Sequence, residues 1–481
     1  MKQLKLSAAV LLAAALPLAG CKVVGPNYQA PVTTAPPAYS DNGHNGNWTA
    51  ANPADNVVHS DWWTIYKEGE LNALEQRCAT ANPTIAAALH AYEQAHDLVR
   101  VNTTALYPTV SVGVGASRDR ISATKPLRAA GSAAASYWDF LIPLSISWEP
   151  DFWGRIRRQI ESSTASAQAS AADLASTRLS LQGLLAITYL QLRGIDSQAQ
   201  LLQSTLASYQ QALDLTTVRV KGGVASQSDV EQSQTQLEQT RAQLIDLGVQ
   251  RAKYEHAIAV LVGEPATNFH VTERPLAGDP PAVPTGIPSE LLQRRPDIAS
   301  SERRIAQTNA LIGVAKAAFY PSIVLGAGTG LESSSITSLF NTGSATWYAG
   351  PGASETVFDA GRRNAQLDYV IAQREQATAL YKQQVLGAFR DVEDQLSSLR
   401  VLEQEAAVTD RAVAAAKRST ELSTIRYKGG LAQYLEVLTN QTIELANERA
   451  AASLRTQRIL ASAQLQIALG GGWDTTQLPI N

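Results

Sequence analysis

Arg219-Val-Lys-Gly-Gly-Val-Ala225 returns 207 residues later as Arg426-Tyr-Lys-Gly-Gly-Leu-Ala432. The same offset relates Gly154-Arg155 to Gly361-Arg362, Leu192-Arg193 to Leu399-Arg400, and Val262-Gly263 to Leu469-Gly470. Earlier in each half the offset is 213: Pro83-Thr-Ile85 matches Pro296-Asp-Ile298, and Tyr107-Pro108 matches Tyr320-Pro321. The chain is written twice, and a period this long with only two copies is a duplication rather than a solenoid. The six-residue change of offset falls between Pro108 and Gly154 and reads as a longer surface loop in the first copy.

Each copy carries the same plan. A helix (Pro83 to Ala105; Pro296 to Ala318) stops at Tyr-Pro, since the residue before proline is pushed out of helical geometry. Two extended runs follow, Thr109 to Arg120 with Ser136 to Trp148, and Ser322 to Glu332 with Ala345 to Val357. Val110, Val112 and Val114 alternate with Ser111, Gly113 and Gly115, a period of two, over the length a tilted strand needs to cross a membrane. Pro143 and Pro351 stand where a central strand tolerates proline poorly, so they leave the strand ends open. Next comes a very long helix, Gly154 to Lys221 and Gly361 to Lys428. Steps of four and three from Leu181 to Val220 pass through Leu185, Leu192, Ile195, Leu202, Tyr209 and Leu213 without meeting a charge; the same steps from Ala388 to Tyr427 meet none either. Heptad spacing sustained this far is a left-handed coiled-coil seam. The Gly-Gly pairs at 222 and 429 end these helices, because glycine accepts the left-handed cap. Ser226-Gln-Ser-Asp229 is a capping box opening a return helix whose heptad runs from Leu237 to Leu261.

The N-terminus sets an address. Lys2 and Lys5 precede an apolar run, Leu6 to Leu18, too short for a permanent span, which ends in Leu18-Ala-Gly-Cys21. This resembles a bacterial lipobox, in which Cys21 is diacylated, residues 1–20, the signal peptide, are removed, and the new amine is acylated. Three acyl chains at about 0.8 kcal/mol per buried CH₂ anchor a chain permanently. Lys22, in place of the aspartate that marks inner-membrane retention, directs it to the outer membrane. Cys78 then has no partner, so no disulfide framework exists; on an apolar-patterned helix it reads as a small buried side chain.

Other chemistries find no footing. The formal net charge of −3 contains no basic block, which excludes a nucleic-acid footprint. The six histidines are scattered, His90 and His96 do not share a helix face, and no nucleophile motif occurs, so neither a metal site, a cofactor nor an enzyme is expected. Gly326-Ala-Gly-Thr-Gly330 resembles a dinucleotide loop but opens no helix. A duct for protein secretion and a purely structural coiled-coil envelope lipoprotein stand as alternative readings of the repeats.

Four strands cannot close a barrel, and an open edge in lipid leaves backbone groups unpaired. The chain is therefore expected to oligomerise. At this point it resembles the TolC-like outer-membrane efflux family, in its lipoprotein, OprM-like branch. The resemblance is carried by Cys21-Lys-Val-Val-Gly-Pro-Asn-Tyr-Gln-Ala-Pro31, Asp61-Trp-Trp-Thr-Ile-Tyr66, Leu291-Leu-Gln-Arg-Arg-Pro-Asp-Ile298, Phe358-Asp-Ala-Gly-Arg362 and Arg426-Tyr427 with Gly430. It implies an α+β membrane protein: a homotrimer with a 12-stranded barrel, a periplasmic tube of 12 helices, and a mixed α/β equatorial belt from 50–81, 265–292 and the tail. It also implies an exit channel for small molecules, working with a periplasmic adaptor and an inner-membrane pump of the resistance-nodulation-division type. The expected division is 21–81, repeat one at 82–264, a connector at 265–294, repeat two at 295–471 and a tail at 472–481. By the same resemblance Leu435 matches a constricting leucine, Glu436 an acidic position of some members, and Thr439 a site where relatives carry aspartate. Asp229, Arg219, Arg426 and Tyr427 are the remaining gate candidates. Lys221, Gly222, Gly223, Lys428, Gly429 and Gly430 are candidates for adaptor contact, since a Gly-Gly tip admits a partner backbone closely.

Overall fold

A computed structural model describes residues 23–31, 36, 39, 61–123, 134–281 and 293–479. Cys21 and the signal peptide lie outside the described residues, as do 50–60 and 282–292 of the expected belt.

Asp61 leads into a 3₁₀ turn, Trp62–Tyr66, and helix α1 (Gly69–Ala81). Helix α2 (Pro83–Thr103) is capped by Asn82, whose side-chain oxygen accepts from the Thr84 and Ile85 N–H groups. It ends two residues earlier than expected, in a 3₁₀ turn, Thr104–Leu106. Strands β1 (Thr109–Val112), β2 (Gly115–Ile121) and β3 (Ala135–Trp148) precede the long helix α3 (Arg155–Lys221) and its return helix α4 (Gln227–Leu261). The second copy repeats this with α5 (Pro296–Ala317), β4 (Ser322–Ser333), β5 (Ala345–Ser354), α6 (Arg362–Lys428) and α7 (Tyr434–Ala468). Both long helices have 67 residues, roughly 100 Å at 1.5 Å per residue. Gly154 and Gly361, read as their first residues, are instead left-handed caps at φ 79° and 88°. Carboxylates start the helices: Asp151 accepts from the Ile156 and Arg157 N–H groups, and Asp359 from those of Gly361 and Arg363.

The sheet is antiparallel throughout, in the order β1/β2, β3, β4, β5. β1 and β2 keep one register on β3 and form one track interrupted at Gly113-Val114. Pro143 explains both the interruption and its own place inside a strand. It has no N–H to give β1/β2, while its carbonyl still accepts from Gly113 at 3.0 Å. Pro351 lies on β5, the edge strand of the protomer's sheet, where proline is better tolerated than in a central strand. The six extra residues of the first copy are not chiefly a loop: β3 has 14 residues where β5 has 10.

Every heptad residue named from Leu181 to Val220 and from Ala388 to Tyr427 is buried or half-buried, so the seams are real contacts. Helix α3 runs through the middle of the protomer, packed by α1, α2, α4, α5 and α7, whereas α6 touches mainly α5 and α7. The main core lies where α1 and α2 meet α3: Trp62, Trp63, Leu71, Leu74, Cys78, Leu185, Tyr189 and Leu192. Burial raises the Cys78 thiol to about 12, with Glu75 adding to the effect.

Candidate functional site

The two Gly-Gly turns put the helix tips side by side, at the end opposite the sheet. Each turn has the same hydrogen bonds. The Val224 N–H reaches the Arg219 carbonyl and the Gly223 N–H that of Val220; Leu431 and Gly430 repeat this with Arg426 and Tyr427. Only the second glycine of each pair is left-handed, φ 73° at Gly223 and at Gly430; Gly222 and Gly429 are right-handed caps. A side chain at 223 or 430 would therefore be strained, while one at 222 or 429 would not.

Although Arg219 and Arg426 are equivalent, they do different work. The Arg219 guanidinium lies 4.7 Å from the Tyr427 ring centroid and donates to the Lys428 carbonyl at 3.1 Å, tying the first tip to the second. Tyr427 meets Tyr434 edge-on at 5.5 Å, and with Val437 they form a small buried cluster. Burial raises the Tyr427 phenol, nearby Asp229 raises it further, and Arg219 pulls it back. Arg426 instead pairs with Glu436 within its own repeat, at 3.1 Å.

The equivalent acids differ in the same way. Asp229 closes the capping box with Ser226 at the start of α4. Its counterpart Glu436 faces an N-cap Gln433 that makes no side-chain cap, and turns to Arg426. Leu435 is 56% exposed. With Gly430, Gln433, Glu436, Thr439 and Asn440 it lines an open cleft of about 790 Å³. The Thr439 hydroxyl donates to the Leu435 carbonyl at 2.8 Å. The structure thus gathers Arg219, Asp229 and Tyr427 into one cluster and Leu435, Glu436, Thr439 and Arg426 into another. Lys221, Gly222, Gly223, Lys428, Gly429 and Gly430 form the exposed rim. Sequence reasoning missed Tyr434 as the second ring of the first cluster, because an aromatic residue opening a helix looks like ordinary apolar pattern.

Farther up the duct is a charge cluster that sequence reasoning also missed. Arg193 is fully buried on α3, yet bonds Glu70 on α1, Asp196, the Tyr189 hydroxyl and the Thr272 carbonyl. Asp196 also receives Arg251 of α4, whose guanidinium reaches the Val271 carbonyl at 2.7 Å. These bonds clamp α1 and segment 269–276 onto the long helix. In the Arg-Arg-Pro-Asp motif, Arg295 forks onto Asp297 and reaches Asp391 and the Ala468 carbonyl. Burial opposes the charge of Asp297, but Arg295 prevails and lowers its carboxyl below the usual range. Both clusters hold elements together. Among the described residues no group of His, Cys, Asp and Glu is arranged to hold a metal, and no helix is long and apolar enough to cross a membrane.

A strand pair per repeat, carried on two coiled-coil arms about 100 Å long, defines an outer-membrane channel with a periplasmic extension. The chain belongs to the outer membrane efflux protein family, whose model matches residues 74–264 and 287–471, one copy each. It is 32% identical over 438 residues to the pyoverdine export outer membrane protein OpmQ of Pseudomonas aeruginosa, covering 89% of this chain and 90% of that one. The toluene efflux pump outer membrane protein TtgF of Pseudomonas putida is 31% identical over 96% of each chain. Among solved structures, the outer-membrane channel OprN superposes with a TM-score of 0.87 at 28% identity, over 94% of this chain and 99% of that one. The chain is an efflux channel of the outer membrane and not an enzyme.

Proposed function

We propose that three copies of this chain form the exit duct of a tripartite pump, conducting small molecules passively from an inner-membrane pump and its periplasmic adaptor to the exterior. The observation that carries this is the sheet with two open edges, β1/β2 and β5, on a protomer reaching roughly 100 Å beyond it. In lipid each unpaired backbone group costs about several kcal/mol, and a neighbour's edge strand removes that cost at both sides. Three four-track sheets make a 12-stranded barrel, and their helical hairpins continue it as a tube. Acylation at Cys21 anchors the assembly in the outer membrane. The adaptor docks on the rim made by Lys221 to Gly223 and Lys428 to Gly430, and the pump behind it is of the resistance-nodulation-division type. The repeat, connector and tail boundaries at 82–264, 265–294, 295–471 and 472–481 are the division that this reading uses.

The closing elements are Leu435, as an apolar constriction, and the Arg426–Glu436 pair beside it, with Thr439 taking the place of an acid. Asp229, Arg219 and Tyr427 latch the tips. Threefold repetition turns Glu436 into a ring of carboxylates, which favours cations. In single-channel bilayer recordings, Glu436→Ala is expected to lower cation preference; unchanged selectivity removes Glu436 from the gate. A detergent-solubilised sample that runs only as a monomer by native mass spectrometry overturns the duct.

A further inference from the structure

The membrane-facing wall of the sheet carries two arginines at the end remote from the helices. Because β1 and β2 share one register on β3, alternation assigns each residue of the track to a face. Val110, Val112, Val114, Ala116, Arg118 and Arg120 share a face with Ile146, Leu144, Ile142, Phe140, Trp138 and Ser136 on β3. The other face holds Ser111, Gly113, Gly115, Ser117 and Asp119 with Ser145, Pro143, Leu141, Asp139 and Tyr137, and is the more polar of the two. The first face is the lipid side: it is apolar from Val110 to Ala116 and continues through Leu325 and Leu331 of β4. From Trp148 to Trp138 it spans ten residues, about 33 Å along the strand, or about 25 Å of height at the tilt usual for such barrels. That height matches the apolar band of an outer-membrane barrel, with one tryptophan at each border.

Arg118 and Arg120 sit at and just beyond the outer border. Both are exposed, and neither forms an ion pair among the described residues. The Arg118 guanidinium lies 5.6 Å from the Trp138 ring centroid, and Trp138 stacks on Phe140 at 5.8 Å. Stacking uses the face of the guanidinium and leaves its N–H edge to donate two parallel hydrogen bonds to an oxyanion such as phosphate. The signs are also sorted across the wall. Asp119 and Asp139, the acids nearest in the strands, alternate to the opposite side, so no acid of the described strands shares the arginines' face. A lipid-facing cation just above an aromatic girdle is placed for a head-group phosphate.

We infer that Arg118 and Arg120, backed by Trp138, bind the phosphate-bearing sugar head group of a glycolipid in the outer leaflet, once per protomer. The site depends on the membrane placement of the sheet and not on the gate, so loss of one leaves the other testable. The test uses full-length lipidated protein in detergent, titrated by native mass spectrometry with phosphorylated lipid A, with its dephosphorylated form, and with inorganic phosphate. Saturable binding of the phosphorylated lipid is expected, at least tenfold tighter than that of the dephosphorylated form, with no competition from millimolar phosphate. At the contribution usual for a basic residue near an anionic head group, Arg118→Gln with Arg120→Gln weakens binding by about 30-fold, whereas Asp119→Asn leaves it unchanged. Equal affinity for the two lipids overturns the inference. So does undiminished binding in an assembled double variant, or displacement by inorganic phosphate, which would reassign the pair to soluble anions. If the double variant does not assemble, the two lipids on the unaltered protein decide the matter.

Discussion

Helices α3 and α6 are copies of one another, equal in length and ended by the same turn, yet they live in different surroundings. Helix α3 buries 24 residues in the protomer and α6 buries nine. Along α6, Tyr369, Leu380, Leu386, Val401, Val408, Leu422 and Ile425 remain exposed, whereas α3 leaves only Leu184 and Val218 among its large apolar residues. The difference lies in position. Helix α3 is flanked by both repeats, and α6 stands at the protomer's edge, presenting the surface that a neighbour in the proposed trimer would cover. Small residues mark the inner seam: a Cβ at Gly183 would lie 2.6 Å from Ile467 Cδ1, and one at Gly194 2.5 Å from Thr456 Cγ2. Their counterparts on α6 are Arg390 and Val401. The seam within a protomer and the seam between protomers are thus built from different residues on one backbone plan.

The sharpest way to break this comparison is the arginine that both repeats share. Arg193 is fully buried among four partners, and Arg400, its copy, is half-buried. Arg193→Ala leaves Asp196 paired with Arg251 alone and opens a cavity in the core; it is expected to cost about 2–5 kcal/mol, seen as loss of the folded protein in thermal or denaturant unfolding. Arg400→Ala is expected to cost about 1 kcal/mol or less. Equal losses would mean that the two helices do not differ as described.

Glu75 sharpens the comparison from the α3 side, where α1 packs. Its carboxyl is completely buried, both oxygens lack partners among the described residues, and burial raises it to about 9 from an ordinary 4.5. The folded protein therefore holds a proton that the unfolded chain releases above about pH 4.5. Stability is fully present below that value and falls as pH rises toward 9. Calorimetry at fixed scan rate should show the unfolding midpoint falling over this window in the native protein. Glu75→Gln should flatten that slope and stabilise the protein at pH 8 by about 1–3 kcal/mol. A slope unchanged in the variant would assign the pH dependence elsewhere.

The smallest effect concerns the tips. Ser226 caps α4, and Gln433 leaves α7 without a side-chain cap. Ser226→Ala should cost about 1 kcal/mol, while Gln433→Ser should gain a similar amount. Hydrogen exchange of the first-turn amides in each return helix reads both changes.

Much of this molecule is legible in its residues because its order is local and repetitive. Heptads report a seam wherever they occur, Gly-Gly reports a helix end, alternation reports a two-faced strand, and the 207-residue offset reports the duplication. Cys78 is buried as its apolar pattern implies. What depended on the fold were differences between the copies, because identical spacing cannot say which copy sits inside. Leu192-Arg193 and Leu399-Arg400 look alike on paper, and only packing by α1, α4 and segment 269–276 makes the first arginine a buried clamp. Asp229 and Glu436 likewise hold one position, but Ser226 beside one and Gln433 beside the other send them to different partners. Pro143 reads as a strand breaker until β3 is seen to carry it where its neighbouring track is already interrupted. Sequence by itself determined the elements, their lengths and their repetition, since these follow from contacts a few residues apart. Tertiary structure alone decided which face of each copy is covered and which charges are desolvated, since burial depends on what lies across the interface rather than along the chain.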